Sequence, residues 1–372
     1  MIKNIKKYPV IIFFAVLLYL VSIADLFSPI EEFSDLENRK LQAFPSFSVK
    51  SLVENNYTPK VEDFTEDHFI LRNYWISLKS ISESLIGKRE NNGIVYGKDG
   101  YMFTKYLVEN TENQDKNIAA IKTFIDRHPD KNTTVMLIPT ASAIEEYRNG
   151  YAPVFDASGM IEKAKTQLGK DFLDVQDVLY SHANEGGEYV YYRTDHHWTS
   201  QGAFLGYEEY IKSIGRTPTP LASRGSPVNT DNFLGTHYSK AKSFNAVPDT
   251  LSYLPNTSTI DILGKTDSIY DLEKLSTRDK YAMFLRGNNS LSTVHGAKKD
   301  GGKILVIKDS FANCFVPFLT EDFETIDVLD MRFYVQSVDE LIAKNDYDEI
   351  LFLYNCETFD SDINLPKINM YN

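Results

Sequence analysis

The chain has 372 residues, of which 42% are apolar, 13% aromatic and 24% charged, and its formal net charge is −13. This length suits about two to three domains, and the aromatic content excludes a wholly disordered chain. The negative charge opposes binding to polyanions, so we expect no nucleic-acid partner. The only two cysteines, Cys314 and Cys356, provide neither a disulfide framework nor a cysteine-rich metal site, although one bond between them remains open.

The N-terminal segment, residues 1–27, has the pattern of a membrane-directed sequence. A basic stretch at residues 3–7 precedes an uninterrupted apolar run from Pro9 to Ala24. As a helix this run spans about 24 Å, against a hydrocarbon core of roughly 30 Å. A signal anchor and a signal peptide cleaved after Ala24 both fit. The basic stretch favours a cytoplasmic N-terminus, so we expect the rest of the chain outside the cytoplasm, held at the cell membrane or secreted after cleavage.

Two further regions precede the main body of the chain. Residues 28–60 contain prolines and many acids but no sustained period, which predicts an extended stalk. From Val61 to Gly87, apolar residues recur at intervals of three to four, which predicts one packed helix. Short strands are then expected on either side of a turn at Lys98-Asp99-Gly100.

The main body alternates helical and strand patterns, as α/β domains do. Apolar runs predict buried strands at residues 134–138, 172–175, 304–307, 325–329 and 349–354. The last three runs are separated by roughly 20 residues of helical periodicity, as parallel crossovers require. Residues 216–280 show no organisation that the pattern reveals.

One serine stands where chemistry in an open α/β sheet is expected, at the carboxyl end of a strand. Ser310 follows Lys308 and Asp309 after the strand at 304–307, where the chain is predicted to turn into a helix. There a hydroxyl is exposed at the sheet edge, and the amides of Ser310 and Phe311 face a developing oxyanion. A serine that only caps a helix has the same local pattern.

A serine nucleophile needs a base, and the sequence Thr194-Asp195-His196-His197-Trp198-Thr199 offers one before a predicted helix. Asp195 can fold back to hold the Nδ1 proton of His197, which leaves Nε2 free to take the serine proton. The Asp-His-His cluster suits a metal ion as well. A polar helix cap is a third interpretation, and the segment alone leaves all three open.

Residues 194–199, followed by Gly202 and Ala203, resemble the signature of the DHHW family. This family is a branch of SGNH-hydrolase-like proteins similar to the alginate O-acetyltransferase accessory proteins. Other segments of the chain, before and after this motif, also resemble segments of the family and stand in the family's order. Among them are Glu37-Asn38-Arg39, Asp67-His68-Phe69, Ile307–Phe311 and Asp330–Tyr334.

The resemblance implies a fold and a domain organisation. We expect an α/β, SGNH-hydrolase-like domain with flavodoxin-like three-layer architecture over residues 61–372, after the membrane segment (1–27) and the stalk (28–60). The order of site residues is permuted, because Asp195 and His197 precede Ser310, whereas ordinary SGNH hydrolases place the serine first. Triads are defined by geometry rather than by order.

The implied activity is that of an extracytoplasmic serine O-acetyltransferase or acetylesterase that needs no cofactor or metal. Its substrate would be a cell-surface or exported polysaccharide, and its catalytic residues Ser310, His197 and Asp195 would act through an acyl-serine. A membrane-bound O-acyltransferase is the implied partner that supplies acetyl groups. Candidates for oxyanion or substrate contacts are Phe311, Arg332, Asn355, His196 and Trp198.

Several alternatives remain at this point. Arg332 can simply pair with an acid, and Asn355 can cap a turn. The whole protein can be a non-catalytic glycan-binding or assembly component of a polysaccharide-modification system. A metallohydrolase that uses the Asp-His-His cluster is a further alternative, although no supporting ligands stand at a clear spacing.

Overall fold

The structure, a computed structural model, describes residues 8–34, 39–106, 108–150, 153 and 157–370. The basic stretch at 3–7 and the block residues Glu37 and Asn38 lie outside these residues. Contacts divide the described chain into two units. The first contains the described residues up to Lys88 together with Lys242–Phe244, and the second contains the remainder from Arg89. Residues 61–88, which we expected in the catalytic domain, therefore cluster with the first unit.

The first unit is mainly helical. It contains helices α1 (Pro9–Leu26), α2 (Val49–Val53), α3 (Thr58–His68) and α4 (Arg72–Leu85), and an antiparallel pair of strands, β1 (Phe33–Ser34) and β2 (Arg39–Lys40). Helix α1 has 18 residues and therefore spans about 27 Å. Within the part of the chain that the structure describes, it is the one helix long and apolar enough to cross a membrane.

The structure corrects two expectations for this unit. The predicted stalk is not extended throughout, because it contains the β1–β2 pair and α2. The single helix predicted from Val61 to Gly87 is two helices, because the chain leaves helical geometry after His68 and Leu71 adopts a φ of 56°. That left-handed conformation is unusual for a bulky side chain and ends any continuous helix.

The second unit holds the remaining elements. Its strands are β3 (Glu90–Asn91), β4 (Ile94–Tyr96), β5 (Met102–Thr104), β6 (Asn132–Ile138), β7 (Phe172–Leu173), β8 (Val228–Phe233), β9 (Asp249–Tyr253), β10 (Thr259–Ile262), β11 (Lys265–Ser268), β12 (Leu291–His295), β13 (Lys303–Lys308), β14 (Thr325–Leu329) and β15 (Glu349–Asn355). Its helices are α5 (Thr111–Arg127), α6 (Ala141–Ile144), α7 (Glu146–Asn149), α8 (Ser158–Leu168), α9 (Gln176–Asn184), α10 (Ser200–Ser213), α11 (Thr236–Ala241), α12 (Val316–Leu319), α13 (Val338–Asn345) and α14 (Cys356–Ser361).

An eight-stranded sheet forms the centre of this unit, in the order β11-β10-β12-β14-β13-β15-β6-β7. The five strands from β14 to β7 run parallel, and β10 to β12 add an antiparallel extension. Alternate residues of β13 face different cores: Ile304 and Val306 pack on the side of α9 and α10, whereas Leu305 and Ile307 pack on the side of α5, α8 and α13. The expected three-layer α/β fold is confirmed.

Most predicted strands are present, and one predicted helix is largely absent. The apolar runs at 304–307, 325–329 and 349–354 are the strands β13, β14 and β15, whose alignment is parallel. The connection after β13 contains only a 3₁₀ turn, Ser310–Asn313, and the four-residue α12. Residues 216–280, which the sequence left unorganised, contain two antiparallel strand pairs: β8–β9, with α11 between the strands in sequence, and the hairpin β10–β11.

Candidate active site

The carboxyl ends of β13 and β15 are joined by the side chain of Asp309. Its Oδ1 accepts the amide of Phe311 at 2.9 Å, and its Oδ2 accepts the amide of Asn355 at 2.8 Å. Asp309 is 1% exposed, and burial raises its pKa. Because Ser310 lies between Asp309 and Phe311, this pair of hydrogen bonds fixes the serine at the edge of the parallel sheet.

The residue before Asp309 supports the same turn from within the protein. Lys308 is buried, and its Nζ donates to the side-chain oxygens of Asn288 and Asn313, each at 2.7 Å. Burial lowers the pKa of Lys308 to about 8. Asn313 belongs to the 3₁₀ turn that begins at Ser310, so the lysine ties this turn to the loop that contains Asn288.

Ser310, His197 and Asp195 form one line of short contacts. His197 Nε2 lies 2.8 Å from Ser310 Oγ, and His197 Nδ1 lies 2.6 Å from Asp195 Oδ1. Asp195 and His197 are 2% and 4% exposed, whereas Ser310 is partly exposed. Asp195 folds back onto the histidine two residues later, as the sequence predicts, and its Oδ1 also accepts the His197 amide at 3.0 Å.

The second oxygen of Asp195 is held by the start of α11. Asp195 Oδ2 accepts the Thr236 amide at 2.8 Å and the Thr236 hydroxyl at 3.1 Å. Burial by itself would raise the pKa of Asp195, but the adjacent His197 and His196 and the Thr236 amide hold that pKa well below its ordinary value. The carboxylate is therefore ionised and suited to orient His197.

The imidazole of His197 lies between two other rings. Tyr281 stacks on it with ring centroids 3.8 Å apart and an interplanar angle of 12°, and the His196 ring lies at 3.8 Å. The Tyr281 hydroxyl donates to the backbone oxygen of Ser310 at 3.0 Å. Tyr281 thus contacts both the histidine and the serine. The sequence does not point to Tyr281, because no local motif or spacing connects it with either residue.

A second buried carboxylate, also missed, holds the loop that carries Asp195. Asp249 accepts the amides of Arg193 and Thr194 at 2.8 Å each and the Thr194 hydroxyl at 2.5 Å, and the Tyr189 hydroxyl also donates to it. Burial raises the pKa of Asp249. Asp249 is more than 50 residues away from each of these partners in the sequence, so no local pattern connects it with them.

Trp198 is placed in the core rather than at the surface. Its side chain is 0% exposed, and its Nε1 donates to the backbone oxygen of Phe311 at 2.9 Å. The expected substrate contact through Trp198 is therefore wrong: the residue is a packing side chain whose hydrogen bond joins the motif to the serine turn. The neighbouring Thr199 caps α10 through a hydrogen bond from the Gly202 amide.

Three other candidates have structural partners. The amide of Phe311 is taken by Asp309, so it is not free to stabilise an oxyanion, contrary to expectation. Asn355 donates to the Ile138 oxygen at 3.1 Å and caps α14 by accepting the Glu357 amide. Arg332 donates to Asp330 through Nε at 2.8 Å and Nη2 at 2.5 Å. For Asn355 and Arg332 these contacts match the structural alternatives.

His196 is the remaining candidate, and it lines a narrow cavity. Its Nδ1 lies 2.6 Å from the Thr236 hydroxyl, and 33% of its side chain is exposed. His237, Glu357 and Ser142 also line this cavity. Burial, followed by the proximity of His197, lowers the pKa of His196 to about 4. His196 is therefore neutral near pH 7 and available to contact a ligand.

The donor atoms of the Asp-His-His cluster lie within 4.8 Å of one another, but those of Asp195 and His197 already have hydrogen-bond partners. The two oxygens of Asp195 accept four hydrogen bonds from His197 and Thr236. Both ring nitrogens of His197 are engaged by Asp195 and Ser310. A cation would have to displace these partners, so the residues do not fit a metal ion.

The two cysteines are not joined. Cys314 and Cys356 are both free and buried, which resolves the bond that the sequence left open. Burial raises the pKa of Cys314 to about 12, so its thiol is protonated and unreactive near neutral pH.

These contacts define an α/β protein in which a serine, a histidine and an aspartate meet at the carboxyl edge of a parallel sheet. Residues 93–329, more than half of the sequence, match the family described as "DHHW protein". The chain belongs to the DHHW family, as its motif at 194–199 suggests.

Comparison with solved structures supports the same fold. A DHHW family protein from Eubacterium siraeum DSM 15702 is 24% identical, with a TM-score of 0.62 over 76% of this chain and 96% of that one. Bacillus cereus PatB1 is 21% identical, with a TM-score of 0.60 over 74% of this chain and 99% of that one, and it has also been solved with a sulfonyl adduct. At these identities the likeness establishes the fold.

Among curated proteins, the chain is similar to the "Probable alginate O-acetylase AlgJ" of Pseudomonas fluorescens. The two are 21% identical over 193 residues, which is 49% of each chain. The chain thus spans about half the length of the curated relative that it matches.

Proposed function

We propose that this protein is an extracytoplasmic serine enzyme that transfers an acetyl group onto or off a polysaccharide. The observation that carries the proposal is the continuous line of contacts from Asp195 through His197 to Ser310, with distances of 2.6 Å and 2.8 Å. A nucleophile, a base and a carboxylate that orients the base are the parts that acyl transfer requires.

In the proposed reaction, His197 Nε2 takes the hydroxyl proton while Ser310 Oγ attacks the carbonyl carbon of the acyl donor. The tetrahedral intermediate collapses, the bond to the leaving group breaks, and His197 gives its proton to that group. This leaves an acetyl ester on Ser310. A sugar hydroxyl, or water, then attacks the ester with His197 again as base, and the serine regains its proton. Asp195 stabilises the imidazolium in both halves.

The substrate class rests on similarity. The relative named as a probable alginate O-acetylase supports a polysaccharide acceptor, although it is matched over about half its length. Helix α1 supports attachment to the cell membrane. Acyl-CoA is not expected outside the cytoplasm, so we propose that a membrane-bound O-acyltransferase supplies the acetyl group, as the family resemblance implies.

The test is mass spectrometry of the full chain in detergent after brief exposure to p-nitrophenyl acetate. We expect an acetyl group on the peptide that contains Ser310, and none on that peptide in Ser310→Ala or His197→Ala. An aryl sulfonyl fluoride, chosen because PatB1 has been solved with a sulfonyl adduct, should label the same serine. Asp63→Asn, an exposed change on α3, is the matched control and should be labelled normally.

A second measurement follows the acetyl group. Acetylated oligosaccharide in the presence of a sugar acceptor indicates transfer, whereas free acetate alone indicates esterase activity. If ester turnover is unchanged in Ser310→Ala and no adduct forms, the acyl-serine is wrong. Retained glycan binding would then favour the non-catalytic binding or assembly role.

A further inference from the structure

Most of the large apolar side chains of helix α4 are exposed, and only Ile76 and Ile81 are half-buried. Leu71, just before the helix, Trp75, Leu78 and Leu85 follow one another at helical spacing and are 60%, 50%, 54% and 82% exposed. We define the outer face of α4 as these residues together with their exposed neighbours, that is, Leu71, Tyr74, Trp75, Leu78, Leu85 and Ile86. In a helix with 3.6 residues per turn these positions share one side.

Apart from the half-buried Ile76, the opposite side of α4 carries polar side chains. Ser80 is 2% exposed and is the one buried residue of the helix. Ser77 and Ser84, on the same side, are half-buried. An amphipathic helix in a water-soluble protein has the reverse arrangement, with its apolar stripe packed inward. An apolar face turned outward indicates that something other than water covers it.

The start of α4 is tied to the end of α1 within the same unit. The amide of Ile70 donates to Asp25 Oδ1 at 2.7 Å, and His68 Nε2 lies 3.0 Å from the Glu31 oxygen. Helix α1 has no buried residue. Asp25 is the next-to-last residue of α1, and a charged side chain is expected where a membrane helix leaves the hydrocarbon core. The first turn of α4 therefore lies near the surface of that core.

We infer that the outer face of α4 lies in the interface of the membrane that α1 crosses, as a second contact of this protein with lipid. The inference rests on the proposed membrane location. Tyr74 and Trp75 stand in the first turn of α4, and aromatic side chains of this type are enriched at membrane interfaces. An amphipathic helix lies in the interface plane with its apolar face in the headgroup and acyl boundary.

The two tryptophans of the chain make a direct test possible. Trp75 is half-exposed on α4, whereas Trp198 is 0% exposed in the other unit. The full chain is reconstituted into phosphatidylcholine vesicles, with or without bromine on the acyl chains, and tryptophan emission is recorded. We expect bromine to quench Trp75, dissolved acrylamide not to reach it, and Trp75→Phe to remove the quenched component and leave the Trp198 signal.

Charge on the outer face should release the helix from lipid. Leu78→Glu combined with Leu85→Glu should abolish quenching of Trp75 by brominated lipid. Asn73→Glu adds one charge at an exposed position on the other side of α4 and should leave quenching unchanged. The pair of variants separates an effect of this face from a general effect of negative charge.

Two results would overturn the inference. If acrylamide quenches Trp75 and brominated lipid does not, the face is in water. If neither quencher reaches Trp75, a protein surface, such as a second copy, covers it. Flotation of the vesicles is measured separately: a chain that does not float with lipid has lost the proposed membrane location, and with it this inference. Acetylation of Ser310 is independent of all these outcomes.

Discussion

Helices α4 and α10 have the same length, 14 residues, and opposite surroundings. Helix α10 follows the motif that contains His197 and buries eight residues, among them Phe204, Tyr207 and Tyr210. Helix α4 buries one serine and exposes its tryptophan and leucines. Sequence periodicity predicts a packed helix in both places. The difference shows that periodicity identifies an apolar face without saying whether protein or another apolar phase covers it.

The largest expected effect lies next to α10. Asp195→Asn keeps the size of the side chain but removes the charge that orients and stabilises His197, so we expect acyl transfer to fall by roughly 10⁴-fold. Steady-state turnover of an acetyl ester measures the loss. The same substitution at Asp63, exposed on α3, should leave turnover unchanged. A loss below tenfold in Asp195→Asn would contradict the assigned role.

The next effect compares the two tryptophans directly. Trp198→Ala removes a fully buried indole and its hydrogen bond to Phe311, so the free energy of unfolding should fall by about 3–5 kcal/mol. Trp75→Ala removes a half-exposed side chain and should lower the free energy of unfolding by about 0.5 kcal/mol or less. Denaturant titration measures both. Equal losses would mean that Trp75 is packed as tightly as Trp198.

The acid dependence of stability gives a third, smaller difference. The pKa of Asp195 is below its ordinary value in the folded protein. The ionised carboxylate therefore adds to the free energy of unfolding above about pH 4, and this addition is lost as the pH falls toward the folded pKa. Asp195→Asn lacks this contribution. The gap in free energy of unfolding between the wild type and Asp195→Asn should therefore narrow from pH 5 to pH 2. A constant gap would argue against the ionised carboxylate.

The smallest effect tests one hydrogen bond. Tyr281→Phe keeps the ring stacked on His197 but removes the hydroxyl that donates to the Ser310 oxygen, a loss of about 1 kcal/mol. We expect turnover of an acetyl ester to fall several-fold with KM nearly unchanged. Tyr74→Phe, on the outer face of α4, should not alter either value. An increase confined to KM would assign Tyr281 to substrate binding instead.

The parallel sheet was predictable because its strands are buried on both faces and therefore read as continuous apolar runs. The runs at 325–329 and 349–354 coincide with β14 and with all but the last residue of β15. The turn between α3 and α4 was not predictable, since Phe64, Leu71, Trp75 and Leu78 follow one another at intervals of seven, four and three residues, which suit one continuous helix. The break comes from backbone geometry at Leu71, which its side chain does not signal.

Within the site, local contacts were predictable and distant ones were not. Asp195 and His197 are two residues apart, so triad logic suggests their contact. Pairing with Ser310 was inferred from its place after a strand and from the family resemblance. Thr236, Asp249 and Tyr281 reach the site only through folding of residues that show no pattern. The oxyanion contact expected of Phe311 was wrong because its amide donates to the side chain of Asp309. The order of residues in the sequence does not reveal this hydrogen bond.

The contact between His197 and Ser310 closes a loop of 113 residues. Thr236, Asp249 and Tyr281, which hold Asp195, its loop and His197, all lie inside that loop. Closure of such a loop carries an entropy cost that only the folded second unit offsets, and contacts of long sequence separation form slowly. The contact between His197 and Ser310 therefore reports on folding of the whole segment that lies between them.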